Sequence, residues 1–272
     1  MSSHTIAYTD SSDPLSAPSR CGVLTALRHA IRGIEGRHVE ADQAASLMSL
    51  GLAAIDETLG GGLPRAALHE IAAESETATA PACAFTLTLA KRGARDRAVL
   101  WIAEDMALME SGAPYGPGLD EIGLAPEQMV TVAAARARDV LWAMEEALRC
   151  RAVGAVIGEI RKENAIDAVA SRRLSLAASQ QDTLALLLRV KPDTRPVAAA
   201  TRWIVGALSA APVPHGIGPP ALAVRLVRNR SGRLGSWVLE WNRAEQCFHL
   251  ASAHPQPMAG TAVDGSRDAA VA

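Results

Sequence analysis

The four cysteines of this sequence, Cys21, Cys83, Cys150 and Cys247, stand far apart, with no CxxC pair and no histidine at ligand spacing. That arrangement offers neither a disulfide framework nor a zinc site, so reduced, structural thiols are expected, and no metal or other cofactor. Long apolar runs are missing too: no stretch approaches the roughly eighteen uninterrupted apolar residues of a membrane-spanning helix. The N-terminal MSSHTIAYTDSSDPLSAPSR has no charged region leading into an apolar one. No export signal is read there, and a cytoplasmic location without membrane contact is expected. Neither sign of charge prevails. A formal net charge of −2 gives no global attraction to nucleic acid, so any DNA contact would have to come from a local patch.

What the chain has is apolar content. At 272 residues and 49% hydrophobic, it can bury a substantial core, which excludes disorder throughout. Residues 1–19 and 251–272 are the exceptions, rich in Ser, Thr, Asp, Pro, Ala and Gly, and read as tails too polar to offset the entropy of ordering. Between them, strand-like runs at Leu68–Ala73, Ala98–Glu104, Met129–Val132, Ala155–Ile160 and Thr183–Val190 alternate with helical segments. That alternation predicts an α/β fold with a mostly parallel sheet covered by helices. Two covering faces are legible, Val140, Met144, Ala147 and Leu148 on one helix, and Ile166, Val169, Ala170, Leu174 and Ala177 on another. After Pro192, TRWIVGAL, ALAVRLVRNR and SWVLEWN follow with no helices between them, predicting an antiparallel C-terminal extension. Trp237, Leu239 and Trp241 share one of its faces, read as core. Ahead of the sheet, Leu24, Leu27, Ile31 and Ile34 form the stripe of an N-terminal amphipathic helix, which docks either on its own domain or on a neighbouring protomer or partner. The expected division is therefore a tail over 1–19, helix and linker over 20–50, one core domain over 51–250, and a second tail.

The stretch GLAAIDETLGGGLPRAALHEI (Gly51–Ile71) resembles the segment leading into the phosphate loop of RecA-type recombinases, with Asp56, Leu59, Gly62, Leu63, Pro64, Glu70 and Ile71 carrying the match. A plain flexible hairpin turn is the alternative for Gly60–Gly62. WIAEDMAL, DTLALLL and VRLVRNR follow in the order of later RecA strands, so the resemblance implies a RecA-like core. A working phosphate loop needs GxxxxGK followed by Ser or Thr, because glycines let backbone N–H groups wrap the phosphates, lysine neutralises them and the hydroxyl holds Mg²⁺. Here Ala73 and Ala78 stand at the glycine positions, Thr79 at the lysine and Ala80 at the hydroxyl. Glu74 and Glu76 add negative charge where a triphosphate would sit. Asp105 is the gapless match to the catalytic glutamate; Gly158 stands where a metal-holding Asp is expected, with Glu159 beside it. The expectation is a pseudo-ATPase, not an enzyme. No other active site emerges: His69–Glu70 begins an HExxH string, but Ala73 ends it, and neither a GxSxG elbow nor an SxxK pair is present. Glu145 and Glu146 read as solvated surface charges.

The strings PYGPGLDEIGL, DVLWAMEEALRC, SRRLSLAA, TRWIVGA and WVLEW, together with the lost loop, resemble the ImuA family, the inducible-mutagenesis protein A of bacteria. That resemblance implies a non-catalytic accessory protein of damage-induced translesion synthesis. Its implied partners are the Y-family polymerase homologue ImuB and an error-prone C-family polymerase, with RecA as a further candidate. A SulA-like division inhibitor and a degenerate DNA-dependent ATPase are the rival readings. Arg225, Arg228, Arg230 and Arg233 fall within nine positions. They form either a solvated edge that discourages strand pairing or a basic rim contacting an acidic partner or DNA phosphate.

Overall fold

In the computed structural model the described residues are 47–251, except 163–164, 194, 211–212, 214–215, 217 and 231. The expected N-terminal helix with Leu24, Leu27, Ile31 and Ile34 lies outside them. All described residues belong to one unit, Ser46–Ala272. A short clip, β1 (Leu47–Met48) paired antiparallel with β2 (Leu63–Pro64), encloses α1 (Ala53–Leu59). Then come β3 (Leu68–Ala73), α2 (Thr79–Ala94), β4 (Ala98–Glu104), α3 (Asp105–Ser111), α4 (Gly116–Glu121), β5 (Met129–Ala134), α5 (Ala137–Leu148), β6 (Val153–Ile160), α6 (Ala168–Gln181) and β7 (Leu184–Arg189). Strands β8 (Thr201–Leu208), β9 (Ala221–Asn229), β10 (Gly235–Asn242) and β11 (Cys247–Leu250) close the order. Among the described residues nine strands form one sheet in the order β11-β10-β9-β8-β3-β7-β6-β4-β5. It is parallel from β8 to β5 and antiparallel from β8 to β11.

Two apolar layers flank this sheet. On one face α2 packs Phe85 and Leu89 against Ile71, Ile157, Leu186 and Trp203. On the other, α5 and α6 cover Val156, Ala185 and Leu187. Val140, Met144 and Leu148 are fully buried as the periodicity predicts. Val169 is not: it is 67% exposed, and Ser171 and Ala178 join Leu174 and Ala177 on the buried face of α6. The cause is the helix start. Asp167 caps α6 by accepting from Ala170 N at 2.7 Å, so Ile166 precedes the helix and the buried stripe is rotated from the one counted through Ile166. Glu145 also departs from expectation, being 7% exposed and held by Arg149 and Arg173, each at 2.6 Å.

The glycine run is built, not loose. Gly60 and Gly61 close α1 with bonds to Glu57 O (3.2 Å) and Asp56 O (2.7 Å), the paired pattern of a Schellman motif. Asp56 in turn accepts from Leu50 N and Ser49 Oγ at 2.8 and 2.6 Å, tying α1 to the clip. Gly60, Gly61 and Gly62 all have positive φ, at 82, 116 and 144°. A Cβ at Gly62 would stand 2.6 Å from Met48 O, whereas one at Gly60 meets open space. Gly62→Ala is therefore expected to cost about 2 kcal/mol or more, lowering the melting temperature by about 4–8 °C. Gly60→Ala should cost only about 1 kcal/mol. Equal losses in thermal melts of the two variants would show that the close approach to Met48 carries no energy.

Candidate functional site: the loops at the carboxyl end of the parallel strands

The carboxyl ends of β3, β4, β6 and β7 carry the loops where a ligand would meet a sheet of this kind. The loop from β3 to α2 has the strand, turn and helix layout of a phosphate loop. Ala73 is the last residue of β3, Ala78 precedes α2, and Thr79 and Ala80 begin it. Its chemistry is turned inward. Glu74 N donates to Val205 O at 2.8 Å and Ala78 N to Ser75 O at 3.0 Å. Thr79 donates its N–H, and its hydroxyl at 2.8 Å, to Glu76 O. The N–H groups of Glu74, Ala78 and Thr79 are thus spent within the fold and do not face an anion.

The two loop carboxylates have cationic partners. Glu74 pairs with Arg225 of β9 at 2.7 Å, and Glu76 with Lys191 at 2.9 Å. The Lys191 hydrogen bond holds the Glu76 carboxyl below its ordinary range. Gly206 of β8 makes room for the first pair, since a Cβ there would stand 2.5 Å from Glu74 Oε2. A triphosphate at this loop would have to displace both pairs and would find no lysine at the Thr79 position.

The strand positions that would hold and activate a metal-bound nucleotide are likewise occupied. Gly158 faces α5, where a Cβ would collide with Met144 Sδ, so an Asp has no room there. Glu159 points the other way, toward α2, and is 4% exposed. Its Oε1 accepts from Arg161 Nε at 3.1 Å; the same guanidinium binds Glu110 at 2.8 Å and Ser111 Oγ. Arg161 N also donates to Glu104 Oε1 at 3.3 Å. The Arg161 guanidinium therefore neutralises Glu159 near the end of β6 and Glu110 of α3, and its backbone N–H is bonded to Glu104 at the end of β4, while Asp105 sits exposed at the start of α3. Burial, then the Glu159 charge, pushes the neighbouring Cys83 thiol up to about 12, so it is not a nucleophile at neutral pH.

Sequence reasoning missed a second cluster behind this loop. Glu70 of β3 is fully buried and accepts from Arg202 Nε of β8 at 2.6 Å, with Arg189 Nε of β7 at 4.0 Å. Arg189 reaches Asp193 at 3.1 Å, and Arg195 binds Asp193 at 2.8 Å. Hydrogen bonding from Arg195 holds the Asp193 carboxyl down at about 2. A buried Arg ending the apolar run TLALLLR was the available signal, since such a charge requires a partner.

The four arginines marked in the sequence take different places. Arg225 closes on Glu74, and Arg228 Nη1 donates to Val197 O at 2.6 Å. Arg230 follows the end of β9 and Arg233 lies in the turn to β10, where its carbonyl accepts from Asn229. Leu222, Val224 and Leu226 face the core as read. β9 is paired on both sides, with β8 and β10, and from Arg225 to Arg230 the chain runs about 16 Å, so the four are spread along an interior strand and the turn that follows it and not gathered at one point.

The chain is 33% identical over 217 residues to Protein ImuA of Caulobacter vibrioides, in two strains, covering 73% of this chain and 84% of that one. Among solved structures, the RadB recombinase matches with a TM-score of 0.51 at 15% identity, over 74% of this chain and 98% of that one, which shows the RecA-like fold. No family model matches. The sequence identity over that share of the chain shows the family, and the fold is consistent with it: this chain belongs to the ImuA family.

Proposed function

We propose that this protein is a non-catalytic adaptor in damage-induced translesion DNA synthesis, a pseudo-ATPase that keeps the RecA-like frame and works by binding proteins. The observation that carries this reading is the loop after β3. Every position that would grip phosphate is replaced, and its carboxylates are neutralised by Arg225 and Lys191 of the same chain. The family membership supplies the process, inducible mutagenesis. The partners we assign are an ImuB-like polymerase homologue and an error-prone C-family polymerase, with RecA as a third.

Calorimetry with ATP and Mg²⁺ is expected to give no heat of binding at micromolar nucleotide. Cells lacking the chain should lose damage-induced mutagenesis and regain it with the wild type and equally with Glu159→Gln, because no strand carboxylate acts on a nucleotide. Hydrolysis stimulated by single-stranded DNA and abolished by Glu159→Gln would overturn the reading. So would failure of that variant to restore mutagenesis at normal protein level.

A further inference from the structure

The hairpin of β10 and β11, at the sheet edge remote from the phosphate loop, brings together three groups that the sequence spacing had excluded as ligands. Glu245, Cys247 and His249 are two apart in sequence, so in an extended strand Cys247 and His249 project from the same face. Cys247 Sγ lies 3.2 Å from His249 Nε2 and 3.7 Å from Glu245 Oε2, and His249 Nε2 lies 2.8 Å from the same oxygen. Zinc bound at its usual lengths to sulfur, nitrogen and oxygen sets ligand atoms roughly 3.3–3.6 Å apart at the corners of a tetrahedron. The observed triangle is within about half an ångström of that, so an ion fits with small side-chain rotations.

The backbone beneath the triangle is fixed from the opposite face. Trp241 and Phe248 are buried in the core with their rings 5.0 Å apart at 74°. The turn is held by Asn242 Oδ1, which accepts from Ala244 N (3.0 Å) and Glu245 N (3.2 Å). Gln246, at a left-handed φ of 50°, donates to Asp120 O at 3.0 Å. Ligands on a rigid hairpin need little reorganisation on binding. Beside His249 a groove of about 460 Å³ opens between Pro219, Glu240 and Asn242. Glu245 and His249 are themselves exposed, so the fourth position of a tetrahedral ion is accessible to water or a small anion.

We propose that Glu245, Cys247 and His249 form a divalent transition-metal site, with zinc the natural occupant and an open fourth position. The donor set decides the class: a thiolate with an imidazole and one carboxylate favours zinc or cobalt over the hard cations magnesium and calcium. Without an ion, burial and the Glu245 charge push the Cys247 thiol up. A dication reverses that balance: the metal–sulfur bond forms as the thiol releases one proton to solvent, and nothing is oxidised or reduced.

The test uses the full chain, freed of metal by chelation and titrated with Co²⁺ and then Zn²⁺. One equivalent of Co²⁺ should bind with a thiolate-to-cobalt charge-transfer band and tetrahedral visible absorption, both lost when Zn²⁺ displaces it. Cys247→Ser should remove the charge-transfer band, and His249→Ala should weaken Zn²⁺ binding in calorimetry at least about tenfold; circular dichroism confirms that each variant folds. The proposal is overturned by Co²⁺ spectra without the thiolate band, by a band that survives Cys247→Ser, or by zinc binding indifferent to His249. It is equally overturned if no metal binds, leaving the triangle a set of side-chain hydrogen bonds. If Cys247→Ser does not fold, the His249→Ala calorimetry decides alone.

Discussion

Arg202→Met is expected to lower folding free energy by about 3–5 kcal/mol, because it strips a fully buried carboxylate of its hydrogen-bonded partner. Glu70 is 0% exposed, and Arg189, 4.0 Å away and itself buried, is too distant to replace the 2.6 Å bond from Arg202. The pair joins adjacent strands β3 and β8, so its loss also loosens the base of the loop after β3. Burial pushes the Glu70 carboxyl up, while Arg202 and then Arg189 pull it back. Removing Arg202 leaves burial less opposed. A carboxyl raised in the folded state costs nothing below its ordinary 4.5, and the cost grows as pH climbs toward the raised value. The deficit of Arg202→Met in urea unfolding should therefore be larger at pH 8 than at pH 5. The double variant Glu70→Gln with Arg202→Met should recover part of the loss. A deficit under about 1 kcal/mol and flat with pH would place the pair among weak surface bridges.

Local pattern carried the frame of this fold and little of its electrostatics. The segments Leu68–Ala73 and Ala98–Glu104 were legible to the residue, because apolar runs bounded by helical segments leave a buried parallel strand little freedom. The end strand β11 was not legible. Its CFHL is four residues with one buried side chain, Phe248. The loss of the phosphate loop could be read because that loop is contiguous. What neutralises it could not, since Glu74 meets Arg225 across 151 positions; the separate pair of Glu70 with Arg202, 132 positions apart, was hidden for the same reason. The same limit applied in reverse at Glu245, Cys247 and His249: they are contiguous, but a search for loop and helix spacings passes over alternate residues on a strand. His69 and Glu70 show how a motif fragment misleads. The HExxH beginning is two buried side chains on opposite faces of β3, one serving each layer.

The wild-type protein should lose about 3 kcal/mol of stability between pH 7 and pH 4 through His69 alone. This ring is completely buried, and its protonation state follows from its neighbours. Nε2 lies 2.7 Å from Pro64 O, a group that only accepts, so the proton sits on Nε2. Nδ1 then accepts from Thr201 Oγ1 at 2.7 Å, and that hydroxyl accepts from Trp203 Nε1 at 2.8 Å. A second proton on Nδ1 would meet a hydroxyl already oriented to donate, at a ring with no exposure to solvent. Burial accordingly lowers the His69 pKa from 6.5 to about 4, against the pull of Pro64 O. With the folded value depressed, the unfolded chain takes up the proton first as pH falls. Stability is thus full above 6.5, declines by about 1.4 kcal/mol per pH unit through the window, and levels off below 4. Asp193, held at about 2, acts only beneath that window. Glu70 remains in both proteins when wild type is compared with His69→Gln, so its contribution largely cancels. At pH 7.5 the variant should be the less stable by about 1–3 kcal/mol for its lost hydrogen bonds. Urea midpoints at pH 7.5 and pH 4.5 should show that gap closing by about 2.5 kcal/mol or reversing, since glutamine takes up no proton. A gap that stays constant between the two pH values would mean that His69 is charged, or solvated, in the folded protein, and the tautomer derived from Pro64 and Thr201 would be wrong.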